Sequence, residues 1–197
     1  MSQMIKVMVA SESHIPYVQI ILDTIEAAAK VRGTGIARRT NEYIEQKMRE
    51  GKAIIALAGE EMEFAGFCYI ETWGNKQFVA NSGLIVVDKF RGKGLAKAIK
   101  KRAFDLSREK YPNSKIFGLT TGVAVMKINT ELGYRPVPYS ELTDDESFWK
   151  GCQSCVNYPI LESKNRRFCM CTGMLFDPND LKKKDILDDI DKDIIIE

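Results

Sequence analysis

The chain has 197 residues, of which 45% are hydrophobic, and this is enough to build a domain of ordinary size around a core. Its 29 basic and 27 acidic residues leave a net charge of +2, which argues against a dedicated nucleic-acid-binding protein. The sequence has no apolar run of membrane-spanning length and no signal-peptide core, so we expect a cytoplasmic protein without a membrane partner.

Hydrophobic periodicity predicts the elements of the N-terminal half. A β-like run at Ile5–Val9 precedes a helix whose apolar stripe begins at Ile15. A second helix is capped by Thr40 and closed by Gly51. Three strand candidates follow, joined by polar turns: AIIALAG, FAGFCYIETW and FVANSGLIVV. This spacing favours an antiparallel meander.

The C-terminal half begins with a glycine-rich segment that leads into an amphipathic helix, whose expected buried positions are Leu95, Ile99, Ala103 and Leu106. The run KIFGLTT predicts a fifth strand, and GVAVMKINTELG predicts a helix that ends at Gly133. The order β-α-α-β-β-β-α-β-α indicates an α/β protein of the α+β type. We expect a single domain over residues 1–176.

Residues 177–197 are predicted to form a charged amphipathic tail. An apolar stripe at helical spacing runs through its acidic residues: Ile186, Leu187, Ile190 and Ile194. A stripe of this kind fits either a short surface helix or a contact with a second copy of the chain, which would make a homodimer.

The segment VVDKFRGKGLAKAIKK places Arg91-Gly92-Lys93-Gly94 between a strand and a helix. The N-terminus of a helix presents unpaired N–H groups and the positive end of the helix dipole, so this arrangement suits an anion. The segment matches neither the dinucleotide fingerprint G-x-G-x-x-G nor the P-loop. It does fit R-x-x-G-x-A.

This pattern resembles the pyrophosphate loop of the GCN5-related N-acetyltransferases (GNAT), and the ELGY end of the last predicted helix is similar to the close of a conserved segment of that family. The resemblance implies a GNAT fold, with a mixed, mostly antiparallel sheet, splayed central strands and helices on both faces. It also implies acyl transfer to an amine, with acetyl-CoA or another acyl-CoA as cofactor.

The resemblance assigns the coenzyme to one strand and to the loop. Gly83 is expected to form a bulge, since glycine inside a strand often marks one. The backbone of three strand residues would then pair with the pantetheine arm: Leu84, Ile85 and Val86. The pyrophosphate would lie on the loop and the helix start, at Arg91, Gly92, Lys93, Gly94, Leu95, Ala96 and Lys97. Lys89 would add a further cation, whereas Lys100 and Lys101 are expected to be solvated.

Two residues are candidates for catalysis. Many GNAT proteins carry a tyrosine four residues before the helix-closing glycine, where this chain has Asn129. Asn129 can donate a hydrogen bond to the leaving thiolate but cannot protonate it. Glu71 is the candidate base, acting through water, and an ordinary exposed strand carboxylate is the alternative reading. His14 is expected to be structural.

The stretches GIARRTNEYIEQKM and NRRFCMC resemble segments of the acetyltransferase domain of N-acetylglutamate synthases. By position, the resemblance assigns the acceptor's carboxylates to Arg38 or Arg39 and to Arg166 or Arg167. It implies transfer of an acetyl or succinyl group to the α-amino group of glutamate, as in arginine biosynthesis. A dicarboxylate suits two bidentate cationic clamps, although arginine pairs are also common surface charges. Another small amine, or a protein amine, is the alternative acceptor.

Four cysteines lie in the C-terminal segment of the domain, over residues 152–171: Cys152, Cys155, Cys169 and Cys171. Their spacing approximates a structural zinc site, and a non-catalytic zinc-stabilised binding module is therefore an alternative function. We expect Cys169 and Cys171 to share one face of a strand, with Met170 directed toward the core. The other reading is four reduced thiols in a cytosolic protein.

Overall fold

The computed structural model describes residues 4–32 and 39–180. Seven strands form one sheet in the order β1-β2-β3-β4-β5-β7-β6. Their bounds are β1 Ile5–Val9, β2 Ala53–Ala58, β3 Glu63–Trp73, β4 Phe78–Val86, β5 Lys115–Thr120, β6 Arg135–Val137 and β7 Thr172–Phe176. All neighbouring pairs are antiparallel except β4 and β5, which are parallel. The predicted mixed, mostly antiparallel sheet is confirmed.

Six α-helices accompany the sheet within the described ranges: α1 Val18–Arg32, α2 Asn41–Arg49, α3 Leu95–Lys110, α4 Val123–Glu131, α5 Glu146–Lys150 and α6 Tyr158–Ser163. The first four are the helices that the apolar periodicity predicts. None of the helices in residues 4–32 and 39–180 has the length and apolar character needed to cross a bilayer.

Strand β2 shows why helices lie on both faces of the sheet. Its even-numbered residues Ile54, Ala56 and Ala58 pack in one core cluster with α3, and its odd-numbered residues pack in another with α1 and α2. Successive side chains of a strand point to opposite faces, so an unbroken apolar run needs cover on both. The predicted two-sided cover is therefore confirmed.

A third apolar cluster lies under the C-terminal segment, where α5 and α6 cover β5, β6 and β7. Phe117 and Leu175 from the sheet meet Trp149 of α5 and Leu161 of α6 in this cluster. The indole N–H of Trp149 donates to the carbonyl of Thr143 at 2.8 Å, which satisfies its buried polar atom. This packing brings the cysteine-containing segment against the end of β5.

The predicted strand through Cys169 and Cys171 is wrong. Residues 164–171 form a turn and an irregular segment after α6, and β7 begins only at Thr172, where it pairs with Thr120 of β5. Met170 is 59% exposed and does not reach the core. A strand needs a partner for its backbone N–H and C=O groups, and this segment acquires one only after Cys171.

Candidate active site

A cleft of about 540 Å³ opens where the two parallel central strands separate. Strands β4 and β5 pair only from Phe78 to Ala80 and from Lys115 to Phe117, although both continue further. Beyond these pairs, the cleft is lined by residues 81–85 of β4 and residues 118–121 of β5 and the following turn. The predicted splay of the central strands is thus confirmed.

Gly83 forms the predicted bulge in β4. Phe67 of β3 pairs with Ile85, but Tyr69 pairs with Ser82, so β4 carries one extra residue between the two pairs. Gly83 has φ +68°, a conformation that side chains with a Cβ rarely adopt. The bulge turns the backbone of Gly83 and Leu84 into the wall of the cleft.

The glycine loop follows the end of β4. Gly92 and Gly94 have φ +75° and +79°, and a Cβ placed on either would meet nothing within 4 Å. Gly94 is the N-cap of the 16-residue helix α3, and its carbonyl accepts the N–H of Ala98 at 3.1 Å. The first-turn N–H groups of a helix have no intrahelical acceptor, and the space beside Gly92 and Gly94 is open. The loop therefore forms a cradle suited to an anion.

The basic residues around the loop differ in their partners. Arg91 folds back, with Nε donating to the carbonyl of Val86 at 3.1 Å and Nη2 lying 2.8 Å from Asp88. Lys97 pairs with Glu131 at 2.6 Å, and Lys89 pairs with Glu63. Arg91 thus stabilises the start of the loop. Lys93 is exposed at its centre.

Of the three strand residues expected to hold the pantetheine arm, two lie on the cleft. Leu84 and Ile85 line it, whereas Val86 lies beyond its rim with its carbonyl taken by Arg91. Ile85 and Val86 pair on their other side with β3, at Phe67 and Gly66. The edge of β4 that faces β5 is the edge on which a linear amide could pair.

Two buried polar atoms in the cleft wall have no hydrogen-bond partner. They are Oδ1 of Asn129, a residue of α4 that is 1% exposed, and Nε1 of Trp73 at the end of β3. An unsatisfied buried polar atom costs about 1–3 kcal/mol, so we expect a water molecule or a ligand group to pair with each. An amide-containing ligand such as pantetheine can donate to the first and accept from the second, so these residues fit the predicted cofactor.

Glu71 is placed behind the cleft wall. Its Oε2 accepts the hydroxyl of Tyr43 at 2.9 Å and forms an ion pair with the buried Lys47, and its Oε1 accepts the N–H of Thr72 at 3.1 Å. Tyr43 itself lines the cleft. Burial raises the pKa of the Tyr43 phenol, and the neighbouring Tyr69 and Glu71 raise it further. The alternative reading of an exposed strand carboxylate is wrong, because this carboxylate has three partners and little exposure.

The predicted arginine clamps are separated by the structure. Arg39 lines the cleft, and its Nε donates to the hydroxyl of Tyr69 at 2.6 Å. Arg166 lies on the surface in a two-armed contact with Glu146 at 2.6 and 2.8 Å, and Arg167 is exposed. Arg38 lies outside the described residues. Only one of the predicted arginines in the described part of the chain therefore reaches the cleft.

The four cysteines of the C-terminal segment surround a small cavity of about 30 Å³ beside the cleft. Burial raises the pKa of Cys152 to about 11 and that of Cys171 to about 12, and the neighbouring thiols add to both shifts. Within residues 4–32 and 39–180, no group of three or more Cys, His, Asp or Glu side chains could hold a metal ion. The structural zinc expected from the spacing is unsupported.

The structure also brings into the cleft a residue that the sequence placed in solvent. Lys100 of α3 is 2% exposed and lines the cleft floor, so its assignment to a solvated helix face is wrong. Position 100 lies four residues after Ala96 and seven before Ser107, which both face the sheet side of α3. The helical spacing from these two residues could have predicted a buried position for Lys100. Lysine is rarely buried, however, so the residue type favoured the opposite prediction. Lys101 is exposed, as predicted.

Solved structures similar to this chain share its fold. N-acetylglutamate synthase from Neisseria gonorrhoeae, complexed with coenzyme A and N-acetyl-glutamate, aligns with a TM-score of 0.61 at 16% identity over 90% of this chain and 36% of that one. Rv2747 from Mycobacterium tuberculosis, in complex with CoA, aligns with a TM-score of 0.61 at 17% identity, over 87% and 98% of the two chains. An acetyltransferase of the GNAT family from Staphylococcus aureus aligns with a TM-score of 0.56 at 14% identity, over 73% of this chain and 92% of that one.

No protein-family model and no curated protein matches the sequence. This chain spans little more than a third of the gonococcal synthase that it matches. At identities of 14–17%, the likeness concerns the fold. Together with the sheet order, the bulge at Gly83 and the glycine loop before α3, it shows that this chain has the GNAT fold.

Proposed function

We propose that the protein is an acyl-CoA-dependent N-acyltransferase, which moves an acetyl group, or a succinyl group, from a thioester to a small amine. The observation that carries this proposal is that one continuous stretch of the chain offers backbone groups for the whole length of the cofactor. A strand edge open to the cleft, with its bulge at Gly83, runs directly into the glycine loop and the N-terminus of α3. A ligand with an amide arm and a diphosphate fits this path.

The diphosphate would lie on the backbone N–H groups from Gly92 to Lys97, which are exposed or at the helix start, with Lys93 available as a cation. The pantetheine arm would run along Leu84 and Ile85 toward the cleft. Its amides would satisfy the unpartnered Oδ1 of Asn129 and Nε1 of Trp73. Coenzyme A supplies the activated thioester, and this chain supplies orientation.

In the reaction, the amine nitrogen attacks the thioester carbonyl, the new C–N bond forms, and the C–S bond breaks with its electron pair on sulfur. The Nδ2 group of Asn129 is a donor for the leaving thiolate, in keeping with its place on the cleft wall. Glu71 touches the cleft only through the hydroxyl of Tyr43. We therefore assign Glu71 to positioning Tyr43, with any base role limited to a relay through that phenol.

For the acceptor, we propose an amine that carries a carboxylate, with glutamate as its first representative. Arg39 lies on the cleft wall, and Tyr69 orients its guanidinium with a 2.6 Å hydrogen bond. Arg166 is engaged with Glu146 at the surface, so a second clamp for the glutamate side chain would require that contact to open. The proposal of glutamate thus rests chiefly on Arg39.

The competing functions have less support. A zinc-stabilised binding module would need a ligand set that the described cysteines do not form. A protein amine would have to enter a cleft that is lined by aromatic side chains, among them Tyr43, Trp73 and Phe148. A small amine meets neither difficulty.

The proposal is tested by calorimetry with CoA and by release of free CoA thiol from acetyl-CoA and succinyl-CoA. Glutamate, glutamate diamide and a peptide with a free N-terminus would serve as acceptors. We expect CoA binding, and amine-dependent thiol release that is fastest with glutamate. A correctly folded protein that does not bind CoA would refute the acyltransferase assignment, whereas binding with equal use of glutamate and its diamide would refute only the acceptor.

A further inference from the structure

Lys100 is a buried cation on the cleft floor. It projects from α3, is 2% exposed, and lines the same cleft as Asn129 of α4 and residues 81–85 of β4. Lysine is almost never fully buried unless it is paired. Within residues 4–32 and 39–180, Lys100 makes no ion pair with any carboxylate. The fold therefore holds an uncompensated ammonium group at the proposed reaction site.

The groups that face Lys100 do not neutralise it. From β3 comes the thiol of Cys68, whose pKa burial raises to about 11. From the segment after α4 comes Tyr134, whose ring centroid lies 5.3 Å from Nζ and whose phenol has a pKa raised by burial. The side chain of Asn81 on β4 is occupied by the hydroxyls of Ser107 and Tyr134. Near neutral pH, all of these neighbours are uncharged.

Tyr134 connects Lys100 of α3 to Asn129 of α4. Tyr134, over whose ring Nζ lies, donates its backbone N–H to the carbonyl of Asn129 at 3.0 Å. Asn129 has no ionisable proton, so another group must protonate the thiolate if it is to leave as a thiol. Lys100 lines the same cleft as Asn129, and its ammonium group carries protons that it can release.

We propose that Lys100 is the catalytic acid of the acyl transfer, donating the proton that the departing CoA sulfur takes up. This inference rests on the proposed function. As the C–S bond breaks, its electrons go to sulfur, and an Nζ–H proton passes to the sulfur to give CoA thiol and a neutral amine on Lys100. The new amide nitrogen, still carrying the acceptor's extra proton, then returns a proton to Lys100, so the side chain ends as it began.

Burial supports this role, because it brings the pKa of Lys100 closer to neutral pH. Desolvation lowers the pKa of Lys100 from 10.5 to about 8, and the nearby Cys68 opposes this shift. An acid works best when its pKa lies near the operating pH, since it then holds a proton but releases it readily. An ordinary surface lysine would hold its proton too tightly for this task.

The experiment compares the parent protein with Lys100→Met and Lys100→Arg, using Lys101→Met as the matched control on the exposed face of the same helix. The first readout is kcat for acyl transfer as a function of pH. The second needs no acceptor: bound CoA is titrated with pH, and its thiolate is followed by ultraviolet absorbance. Calorimetry with CoA checks that each variant still has a formed binding site.

We expect Lys100→Met to lower kcat by about 10²-fold or more, with KM for acyl-CoA changed by less than about threefold. Lys100→Arg should also fail, because arginine does not release its proton near neutral pH. In the parent, bound CoA should ionise at lower pH than free CoA, and Lys100→Met should abolish this difference. Lys101→Met should match the parent in both readouts.

Three results would overturn the assignment. One is a kcat for Lys100→Met within about threefold of the parent with an unchanged pH profile, and another is an unchanged titration of the bound thiol. The third is a loss confined to KM, which would make Lys100 a binding group instead. If the parent binds CoA and transfers acyl groups, each of these results leaves the proposed function intact. A parent protein that does not bind CoA would refute both the assignment of Lys100 and the proposed function.

Discussion

Gly83 packs directly against the ring of Tyr69. A Cβ at Gly83 would lie 2.7 Å from Cε1 of that ring, closer than such atoms approach in proteins. Tyr69 in turn accepts the hydrogen bond from Arg39 at 2.6 Å. The bulge that exposes the edge of β4 to the proposed cofactor is therefore in contact with the residue that orients the proposed acceptor clamp.

Gly83→Ala should destabilise the protein and weaken CoA binding together. The variant must either shift Tyr69 or lose the positive φ, and we expect a cost of about 1–3 kcal/mol in the free energy of unfolding. Gly118→Ala on the facing strand is the control, since its Cβ would meet only the carbonyl of Asn81 at 3.7 Å. Equal stability of the two variants in urea melts would contradict the role of this contact.

Gly94→Val should abolish CoA binding measured by calorimetry, because a branched side chain would keep the diphosphate away from the loop backbone. Gly51→Val is the matched control. Gly51 also has a positive φ, +59°, but it lies after α2, away from the loop. Both variants should lose similar stability, about 1–3 kcal/mol, and only Gly94→Val should lose the cofactor. Unchanged affinity in folded Gly94→Val would refute the loop assignment.

Arg39→Ala should raise KM for glutamate by about 10- to 100-fold, the effect of losing a charged hydrogen bond of about 1.5–3 kcal/mol. Turnover of glutamate diamide should change much less. Arg166→Ala is the comparison, and we expect it to leave both acceptors unaffected because Arg166 is engaged with Glu146 at the surface. Equal losses on both acceptors in Arg39→Ala would instead mean that Arg39 acts only through Tyr69.

Lys100→Met should raise thermal stability at pH 7, since it removes an uncompensated buried charge. In the folded protein the pKa of Lys100 is lowered to about 8 from 10.5, so between these values the unfolded chain binds more protons at this residue. The contribution of Lys100 to stability therefore rises with pH across that window, by about 3 kcal/mol in total.

The measurement is the difference in free energy of unfolding between the parent and Lys100→Met, from pH 7 to pH 10.5. The part of this range below pH 9 is decisive, because between pH 9 and about 11 the raised pKa of Cys68, which Lys100 itself influences, makes the contribution of Cys68 to stability fall. The gap between the two proteins should close as the pH increases. A gap that is independent of pH would mean that Lys100 is not buried as a cation.

Protein purified without chelator should contain less than about a tenth of an equivalent of zinc, and chelator should leave its melting temperature unchanged. The structural reason is that, within residues 4–32 and 39–180, no three Cys, His, Asp or Glu side chains are placed so that they could hold a metal ion. Elemental analysis with parallel thermal melts tests this expectation. Stoichiometric zinc, lost together with stability on chelation, would restore the metal-site hypothesis that the spacing of the four cysteines suggested.

The sequence by itself determined the order of the main elements and the position of the glycine loop. Apolar runs such as AIIALA can be buried only between two layers, and the stripe through Leu95 and Ile99 can be buried only as a helix. The bulge at Gly83 was also predictable, because glycine inside a strand often marks one. These features depend on local chemistry, which the order of residues expresses directly.

Tertiary structure alone decided which charged groups meet. Glu71 is held by Lys47, and Arg166 by Glu146, through contacts between segments 20 or more residues apart that no local pattern reveals. The same holds for Lys100, which differs from Lys101 only in the side of α3 that it occupies, yet one is buried in the cleft and the other is solvated. The free energy of a charge depends on the groups that surround it. For Lys100 these groups come from several strands and helices, which meet only in the folded protein.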